Sequence, residues 1–170
     1  LSYVLKVGVD SQLPLALLTL FIGVFTGVSL GYLIGSFGKG TKDNPYLIYN
    51  YEELLWFSQQ IKDGDQGLCA RLEADIDASG KTDWLPIGRE GKSFAGTFNG
   101  NGHIIRNLHV TSEDENVNIG LFGKIGYRTE VYGLGIVDGN FEGKGYVGAI
   151  CGNFSSGSIH DCYVFHSKVK

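Results

Sequence analysis

The sequence predicts an all-β protein: a parallel β-helix (solenoid) with a short N-terminal capping helix, preceded by one N-terminal transmembrane α-helix. Three observations predict this architecture. An uncharged apolar segment lies near the N terminus, a single amphipathic segment carries a helix-capping pattern, and short β-rich runs then repeat at intervals of 26 and 28 residues. The predicted parts are a flank at 1–12, a transmembrane helix at 13–37, a linker at 38–44 and a β-helix domain at 45–170.

Composition excludes several classes of protein. The 170 residues include 14 Lys and Arg against 18 Asp and Glu, without the basic run that would bind nucleic-acid phosphates. Three cysteines are too few for a disulfide scaffold. A single bridge between Cys151 and Cys162, within one coil, is an alternative that the sequence allows. The 26 glycines show no collagen period, so they predict tight turns or close backbone packing.

Residues 13–37 are predicted to cross a membrane. No residue from 11 to 37 is charged. A helix over 13–37 is about 37 Å long, enough to span a hydrocarbon layer of about 30 Å with some tilt. Two alternatives fit less well. A buried soluble helix would be expected to show a polar face, and the apolar part of a secretory signal is typically about 7–15 residues long.

Four glycines form one row on the predicted membrane helix. Gly23, Gly27, Gly31 and Gly35 recur every four residues. Small residues in a row let another helix approach closely, which is how helices associate in lipid. We therefore expect contact with transmembrane helices of a partner or of a second copy, the alternative being that the row has no partner.

A short helix is predicted at about 51–61, after the polar linker. Asn50, followed by Glu53 three residues later, is typical of a capping box at a helix N terminus. We expect this helix to cover the N-terminal end of the solenoid, where unpaired strand edges would otherwise be open to another chain. Its apolar positions have helical spacing: Leu54, Phe57 and Ile61.

The β-rich runs align with one another. Segments 105–110, 131–136 and 159–164 share apolar first, fourth and sixth positions, and 119–123 aligns with 147–152, which is one residue longer. Repeats of this length indicate stacked units, and β-runs without intervening helices predict a parallel β-helix with glycines at its corners. The last repeat carries no capping signal, so we expect the domain to continue beyond residue 170 or to be covered there by a partner.

Six motifs occur in order between about residues 43 and 169: DNPYLIYNYEELLWFSQQI, LEADIDASG, WLPIG, FAGTFNGNGHIIRNLHV, IGLFGKI and YVGAICGNFSSGSIHDCYV. Together they resemble the GLUG-motif β-helix family of bacterial surface proteins, which includes N-terminal regions of immunoglobulin A peptidases and large adhesins. The resemblance implies a right-handed, extracellular parallel β-helix that serves as a scaffold or stalk. No HExxH zinc-protease motif is present, so peptidase activity is not implied.

Ionisable residues are not predicted to converge on a catalytic or metal site. Asp75 and Asp77 alternate with apolar residues, as exposed or turn-capping carboxylates would, while a catalytic or calcium-binding pair is the alternative. No histidine aligns with another, so a ladder of metal ligands is not expected. The predicted register stacks His160 on Tyr132 and Arg106, His109 on Gly135 and Tyr163, and His166 on Asp138 and Ser112.

Tyr127, Tyr132 and Tyr163 are predicted to be exposed and are candidates for contact with a surface glycan or protein. Tyrosine suits such contacts because it combines apolar area with a polar tip. Tyr132 and Tyr163 fall at different register positions, so a continuous tyrosine ladder is not expected.

The sequence favours a membrane-anchored, non-catalytic surface protein that serves adhesion, spacing or assembly, without a cofactor. The glycine-lined helix would also suit an accessory subunit of a membrane complex. The alternative is a membrane-anchored, polysaccharide-active β-helix enzyme, a lyase or hydrolase, which would need acids and bases clustered on adjacent coils. We expect a single-pass protein with its β-helix domain on the extracytoplasmic side, and the lipid bilayer, transmembrane helices and a surface glycan or protein as partners.

Overall fold

The computed structural model describes residues 40–89 and 91–170. The predicted membrane helix at 13–37 lies outside these residues, as do its glycines at 23, 27, 31 and 35. Within the described ranges, no helix combines the length and apolar character needed to cross a membrane.

The described residues form a parallel β-solenoid of about three turns with one short helix. Every strand pairing is parallel. The elements in chain order are β1 (Tyr46–Ile48), α1 (Tyr51–Asp63), β2 (Ala70–Leu72), β3 (Ile76–Asp77), β4 (Thr97–Asn99), β5 (Ile104–Arg106), β6 (His109–Ser112), β7 (Phe122–Ile125), β8 (Glu130–Tyr132), β9 (Gly135–Val137), β10 (Asn140–Gly143), β11 (Cys151–Phe154), β12 (Ser158–His160), β13 (Tyr163–Phe165) and β14 (Lys168–Val169).

Successive turns stack their strands into four sheets. The first sheet has the order β1-β2-β4-β8-β12 and the second β3-β5-β9-β13; the third is β6-β10-β14 and the fourth β7-β11. Because side chains alternate along a strand, one set points into the solenoid and the other points out. This arrangement places outward side chains of successive turns in columns, each step being one strand spacing of about 4.8 Å.

The core is built from inward side chains at equivalent positions of successive turns. Ile76, Ile105 and Ile136 are in register in the second sheet and all are buried. Burial of each such side chain contributes about 1.5–3 kcal/mol. In the last turn the equivalent Val164 is 44% exposed, because no further described strand covers it. Whether the solenoid continues or is covered at this end stays a prediction.

Helix α1 begins at Tyr51 as predicted and ends at Asp63, two residues later than predicted. The Asn50 side chain accepts a hydrogen bond from the Glu53 N–H at 3.0 Å, while the Glu53 carboxylate accepts one from the Tyr49 N–H at 2.7 Å. Phe57 is fully buried, and its ring centroid lies 6.1 Å from those of both Phe94 and Phe98. These contacts join the helix to the solenoid core, and whether it covers the end of the solenoid stays a prediction.

The predicted repeat register is right for the last two turns and wrong for the turn before them. Val131 pairs with Ile159, the 28-residue offset that was predicted. Ile105, however, pairs with Ile136 rather than with Val131, whose partner in the preceding turn is Phe98. Two residues separate β5 from β6 and likewise β8 from β9, whereas four separate β4 from β5. The β5–β6 pattern therefore matched β8–β9, although its true neighbours are β9 and β10. An alignment of the two turns that is shifted by five residues from the true register matches their apolar positions equally well.

The predicted histidine contacts change with this register. His160 does stack on Tyr132, and His166 does contact Asp138. The other predicted stacking partners were wrong: Arg106 pairs with Asp77 and Val137, His109 pairs with Asn140, and Ser112 pairs with Gly143.

Corners of the solenoid use left-handed backbone at both glycine and non-glycine residues. Asn107, Asp138 and His166 occupy one corner in successive turns, with φ of 58°, 55° and 51°. Asn and Asp tolerate this conformation better than other side chains, so glycine is needed less often than the sequence suggested. Gly133 is a corner glycine, with φ of 65°. Gly100 has a different reason, because a Cβ there would overlap the Gly133 carbonyl oxygen in the next turn.

Candidate functional site

Asp75 links two turns of the solenoid. Its Oδ1 accepts a hydrogen bond from the Ile104 N–H at 3.1 Å and lies 3.0 Å from His103 Nδ1. The Arg106 guanidinium is 3.9 Å from its other oxygen. The Ile104 N–H, and after it His103, lower the pKa of Asp75, so it is a carboxylate at neutral pH.

Asp77 makes an equivalent link two residues further on. It accepts hydrogen bonds from Asn107 Nδ2 at 2.8 Å and from the Ser79 N–H at 2.9 Å. These bonds, the one from Asn107 first, lower its pKa. Both carboxylates therefore act as capping groups, each with partners of its own in the next turn.

The three candidate tyrosines lie on different parts of the surface. Tyr127 follows β7, is 73% exposed and has the Arg128 guanidinium 5.3 Å from its ring. Tyr163 projects from the second sheet and covers Gly135, where a Cβ would be 2.5 Å from the tyrosine ring. Tyr132 lies in the first sheet. The different registers of Tyr132 and Tyr163 are confirmed, and whether any of the three binds a partner stays a prediction.

The outward column of the first sheet borders a cavity beside Tyr132. Arg71, Asn99, Tyr132 and His160 occupy equivalent positions in successive turns. Asn99 is the shortest side chain among them, so a gap remains between Arg71 and Tyr132. We call this cavity of about 250 Å³ the Asn99 notch. Its lining residues are Lys42, Asp43, Pro45, Cys69, Ala70, Arg71, Thr97, Asn99 and Tyr132.

One side of the notch is formed by a segment that the sequence predicted to be a linker. Gly40 accepts a hydrogen bond from the Cys69 N–H through its carbonyl oxygen at 2.7 Å. Lys42 Nζ donates to Glu130 Oε2 at 2.9 Å. Residues 40–44 are therefore packed along the first sheet rather than free of it.

Tyr132 is held in place from the side away from Asn99. Its ring is parallel to that of His160, with centroids 5.3 Å apart and an interplanar angle of 2°. His160 is positioned in turn by Asp161, 2.8 Å from Nδ1, and by Glu130, 3.7 Å from Nε2. Asp161 first, and Glu130 after it, raise the pKa of His160. The Lys42 ammonium lowers the pKa of Glu130.

A larger cavity of about 460 Å³ lies between the loop after Trp84 and the segment from Val110 to Ile119. Two of its polar lining residues, Asp114 and Arg89, already bond within the protein. Asp114 accepts hydrogen bonds from both nitrogens of Asn116, and Arg89 donates to Ser58 Oγ at 2.7 Å and to Gln59 Oε1 at 2.7 Å.

The described residues include no group of three or more His, Cys, Asp or Glu that could hold a metal ion. All three cysteines are free thiols. Burial raises the pKa of Cys151 to about 11, so this thiol is not an activated nucleophile at neutral pH.

The Asn99 notch was not predicted from the sequence, although Tyr132 was a candidate contact residue. Asn99 belongs to a strand that the slipped repeat alignment left out of the column. The contact between Lys42 and Glu130 spans 88 residues of sequence, which no local pattern reveals. Only the correct pairing of β4 with β8 would have placed Asn99 beside Tyr132.

Comparison with known proteins supports the fold. No family model matches the chain. A protein of Evansella cellulosilytica named "Putative Gly-rich membrane protein" is 36% identical over 124 residues, which are 68% of this chain and 14% of that protein. "Halomucin" of Haloquadratum walsbyi is 33% identical over 126 residues, 72% of this chain and 1% of that protein. The chain thus spans a small part of either relative.

A solved structure has the same fold. It is the crystal structure of "a putative immunoglobulin A1 protease" from Bacteroides ovatus, with a TM-score of 0.50 and 22% sequence identity. The match covers 78% of this chain and 50% of that one. At this identity the similarity shows a shared β-helix architecture.

Proposed function

We propose that this chain is a non-catalytic β-solenoid segment of a cell-surface protein, serving as an adhesion or assembly scaffold. The observation that carries the proposal is the use of its outward ionisable groups. Asp75, Asp77 and Glu130 each bond to a residue of another turn or of the packed 40–44 segment. Groups used in this way stiffen the stack of turns, whereas a hydrolase or lyase needs them directed together at a substrate.

The architecture suits a spacer. Each turn buries its apolar side chains only against its neighbours, and each adds about 4.8 Å along the axis. Parallel backbone hydrogen bonds between turns and side-chain bonds on the outer face both resist separation of the turns. Length can therefore be adjusted by adding turns without altering the rest of the stack.

Location at a membrane surface is supported by two independent features. The segment 13–37 has the length and composition of a membrane-spanning helix. The relative from Evansella cellulosilytica is named a membrane protein, and the second relative is named Halomucin. The motif order that resembles the GLUG family fits the same location. We propose a single-pass anchor, with the solenoid outside the cytoplasm and the row from Gly23 to Gly35 contacting another membrane helix.

Catalysis is tested with the full chain in detergent micelles. Polygalacturonate and alginate are supplied, and unsaturated products are followed by ultraviolet absorbance, together with reducing ends for hydrolysis. We expect no turnover above a heat-denatured control. Turnover that disappears in Asp75→Ala or Asp77→Ala would overturn the proposal and favour the polysaccharide-active enzyme.

Location is tested by protease accessibility. The chain is expressed in bacterial cells with a cytoplasmic reporter as an internal control, and intact cells are treated with a protease that does not enter them. We expect loss of an epitope placed after residue 170 while the reporter survives. Protection of the epitope until the cells are lysed would contradict an extracytoplasmic solenoid.

A further inference from the structure

We propose that the Asn99 notch binds one neutral pyranose unit of a glycan. The inference deepens the proposed surface role by naming a ligand class and a site, and it rests on that role. The notch combines an aromatic wall, amide and guanidinium hydrogen-bonding groups and a restricted volume. Together these features suit a sugar ring, which presents both a patch of C–H groups and several hydroxyls.

The aromatic wall is one face of Tyr132. The order of strands β4-β8-β12 places Asn99 on one side of Tyr132 and His160 on the other. His160 stacks on its own side, so the notch is bordered by the outer part of the opposite ring face, which the short side chain of Asn99 does not cover. Pyranose rings present a flat patch of C–H groups, and tyrosine offers a rigid apolar face with a polar tip for such a patch. His160 is hydrogen-bonded to Asp161 and stacks on Tyr132, so the position of the Tyr132 ring is fixed before a ligand binds.

The floor offers hydrogen bonds to hydroxyl groups. Asn99 Oδ1 accepts a hydrogen bond from the Asn101 N–H at 2.7 Å. Among the described residues, Asn99 Nδ2 has no such bond to another group, so it remains a donor within the notch. Asp43 adds carboxylate oxygens and Arg71 adds guanidinium N–H groups. This mixture of donors and acceptors matches vicinal hydroxyls, each of which both donates and accepts.

The charges favour a neutral sugar over a uronate or a phosphate. Two cations line the notch, but each is paired: Lys42 with Glu130 at 2.9 Å and Arg71 with Glu73 at 2.5 Å. Asp43 adds a further negative charge to the lining. A carboxylate ligand would face this acid and would compete with the two existing ion pairs, whereas a neutral ligand disturbs neither.

The volume favours a single sugar unit. Pockets for drug-sized ligands usually enclose about 300–1,000 Å³, and the notch encloses about 250 Å³. One sugar ring with few contacts is expected to bind with a Kd on the order of 1 mM. Useful adhesion would then come from many copies acting on one polymer, since linked weak sites gain strongly in apparent affinity.

The test is saturation-transfer NMR on the full chain in detergent micelles. The probes are the methyl glycosides of glucose, galactose and mannose. Methyl glucuronide is the negatively charged comparison ligand. We expect saturable binding of at least one neutral glycoside, and weaker binding of the glucuronide. Tyr132→Ala should weaken binding at least about tenfold, Tyr132→Phe should stay within about threefold, and Tyr163→Ala on the second sheet should change nothing.

Asn99→Leu provides a second variant that keeps Tyr132. Leucine has nearly the same shape as asparagine but carries no amide, so the Nδ2 donor is removed and binding should be lost while the circular dichroism spectrum is unchanged. Absence of saturable binding by all three neutral glycosides, tighter binding of the glucuronide, or equal binding by the wild type and Asn99→Leu would each overturn the inference. None of these results would bear on the proposed surface scaffold role, which the turnover and accessibility experiments test separately.

Discussion

Replacing Phe57 by alanine tests whether helix α1 and the solenoid share one core. Phe57 is fully buried, with its ring 6.1 Å from the rings of both Phe94 and Phe98 and 6.3 Å from that of Tyr46. Truncating such a buried phenylalanine to alanine costs about 3–5 kcal/mol, through lost burial and the cavity left behind. Total stabilities are commonly about 5–15 kcal/mol, so the loss would be a large fraction of the whole.

The expected shift is measured by thermal unfolding in detergent micelles, followed by circular dichroism at a β-sheet wavelength. For a chain of this size about 1 kcal/mol corresponds to about 2–4 °C, so Phe57→Ala should lower Tm by roughly 6–20 °C. Gln60→Ala on the same helix is the matched control, with an expected change within about 0.5 kcal/mol. A Phe57→Ala shift no larger than that of the control would refute a shared core.

A double-mutant cycle isolates the contact between helix and solenoid. Phe98→Ala is also expected to destabilise, because its ring packs against Phe57 and against Phe122 at 5.4 Å. If the rings interact directly, the two losses should be non-additive by about 0.5–1.5 kcal/mol. Strict additivity would mean that the two side chains lie in separate cores.

Four further changes have defined outcomes. Asn50→Ala removes the helix cap and should cost about 1 kcal/mol in urea unfolding; no change would mean that the cap is not used. Gly100→Ala places a methyl group against the backbone of the next turn and should cost about 1–3 kcal/mol, measured in the same way. Because the folded pKa of Asp75 lies below its usual 3.8, its charge stabilises the fold above that pH and the effect is lost as pH falls through the folded pKa. The stability gap between wild type and Asp75→Asn should therefore be present at pH 6 and close below about pH 3.8; a gap independent of pH would contradict this. Gly27→Leu combined with Gly31→Leu should abolish co-purification of differently tagged partners in mild detergent while membrane insertion persists; unchanged co-purification would exclude a contact face.

The β-solenoid and its short helix were predictable because they depend on local patterns. The capping pattern at Asn50 and the helical spacing of Leu54, Phe57 and Ile61 predicted a helix that the structure shows. The 28-residue offset between Val131 and Ile159 was likewise visible in the apolar positions. These features depend on residues close in sequence, or on two turns whose corners have the same length.

The register of the earlier turn was not predictable from the same patterns. The corner between β4 and β5 is two residues longer than its equivalent in the next turn, and alternating apolar residues cannot report where residues were added. With a slip of five residues, Ile105 is still aligned with an apolar partner, so the apolar pattern does not reveal the wrong register. The error removed Asn99 from the column that contains Tyr132.

Side-chain pairing across distant sequence was also beyond prediction. The interaction of Lys42 with Glu130 depends on residues 40–44 packing beside the first sheet, whereas the charged and glycine-rich composition of this segment is equally typical of a linker. The stacking of His160 on Tyr132 was predicted, because both residues lie in the turns whose register was right.

Disulfide trapping tests most directly whether successive turns stack in parallel. With the three native cysteines replaced by alanine, Glu130→Cys is combined either with Ser158→Cys or with His160→Cys. Parallel pairing places 130 opposite 158, at a strand spacing of about 4.8 Å that a disulfide can bridge. We predict fast, near-complete oxidation of the first pair and slow, partial oxidation of the second. Preferred trapping of 130 with 160 would indicate antiparallel strands and would contradict the stacked solenoid.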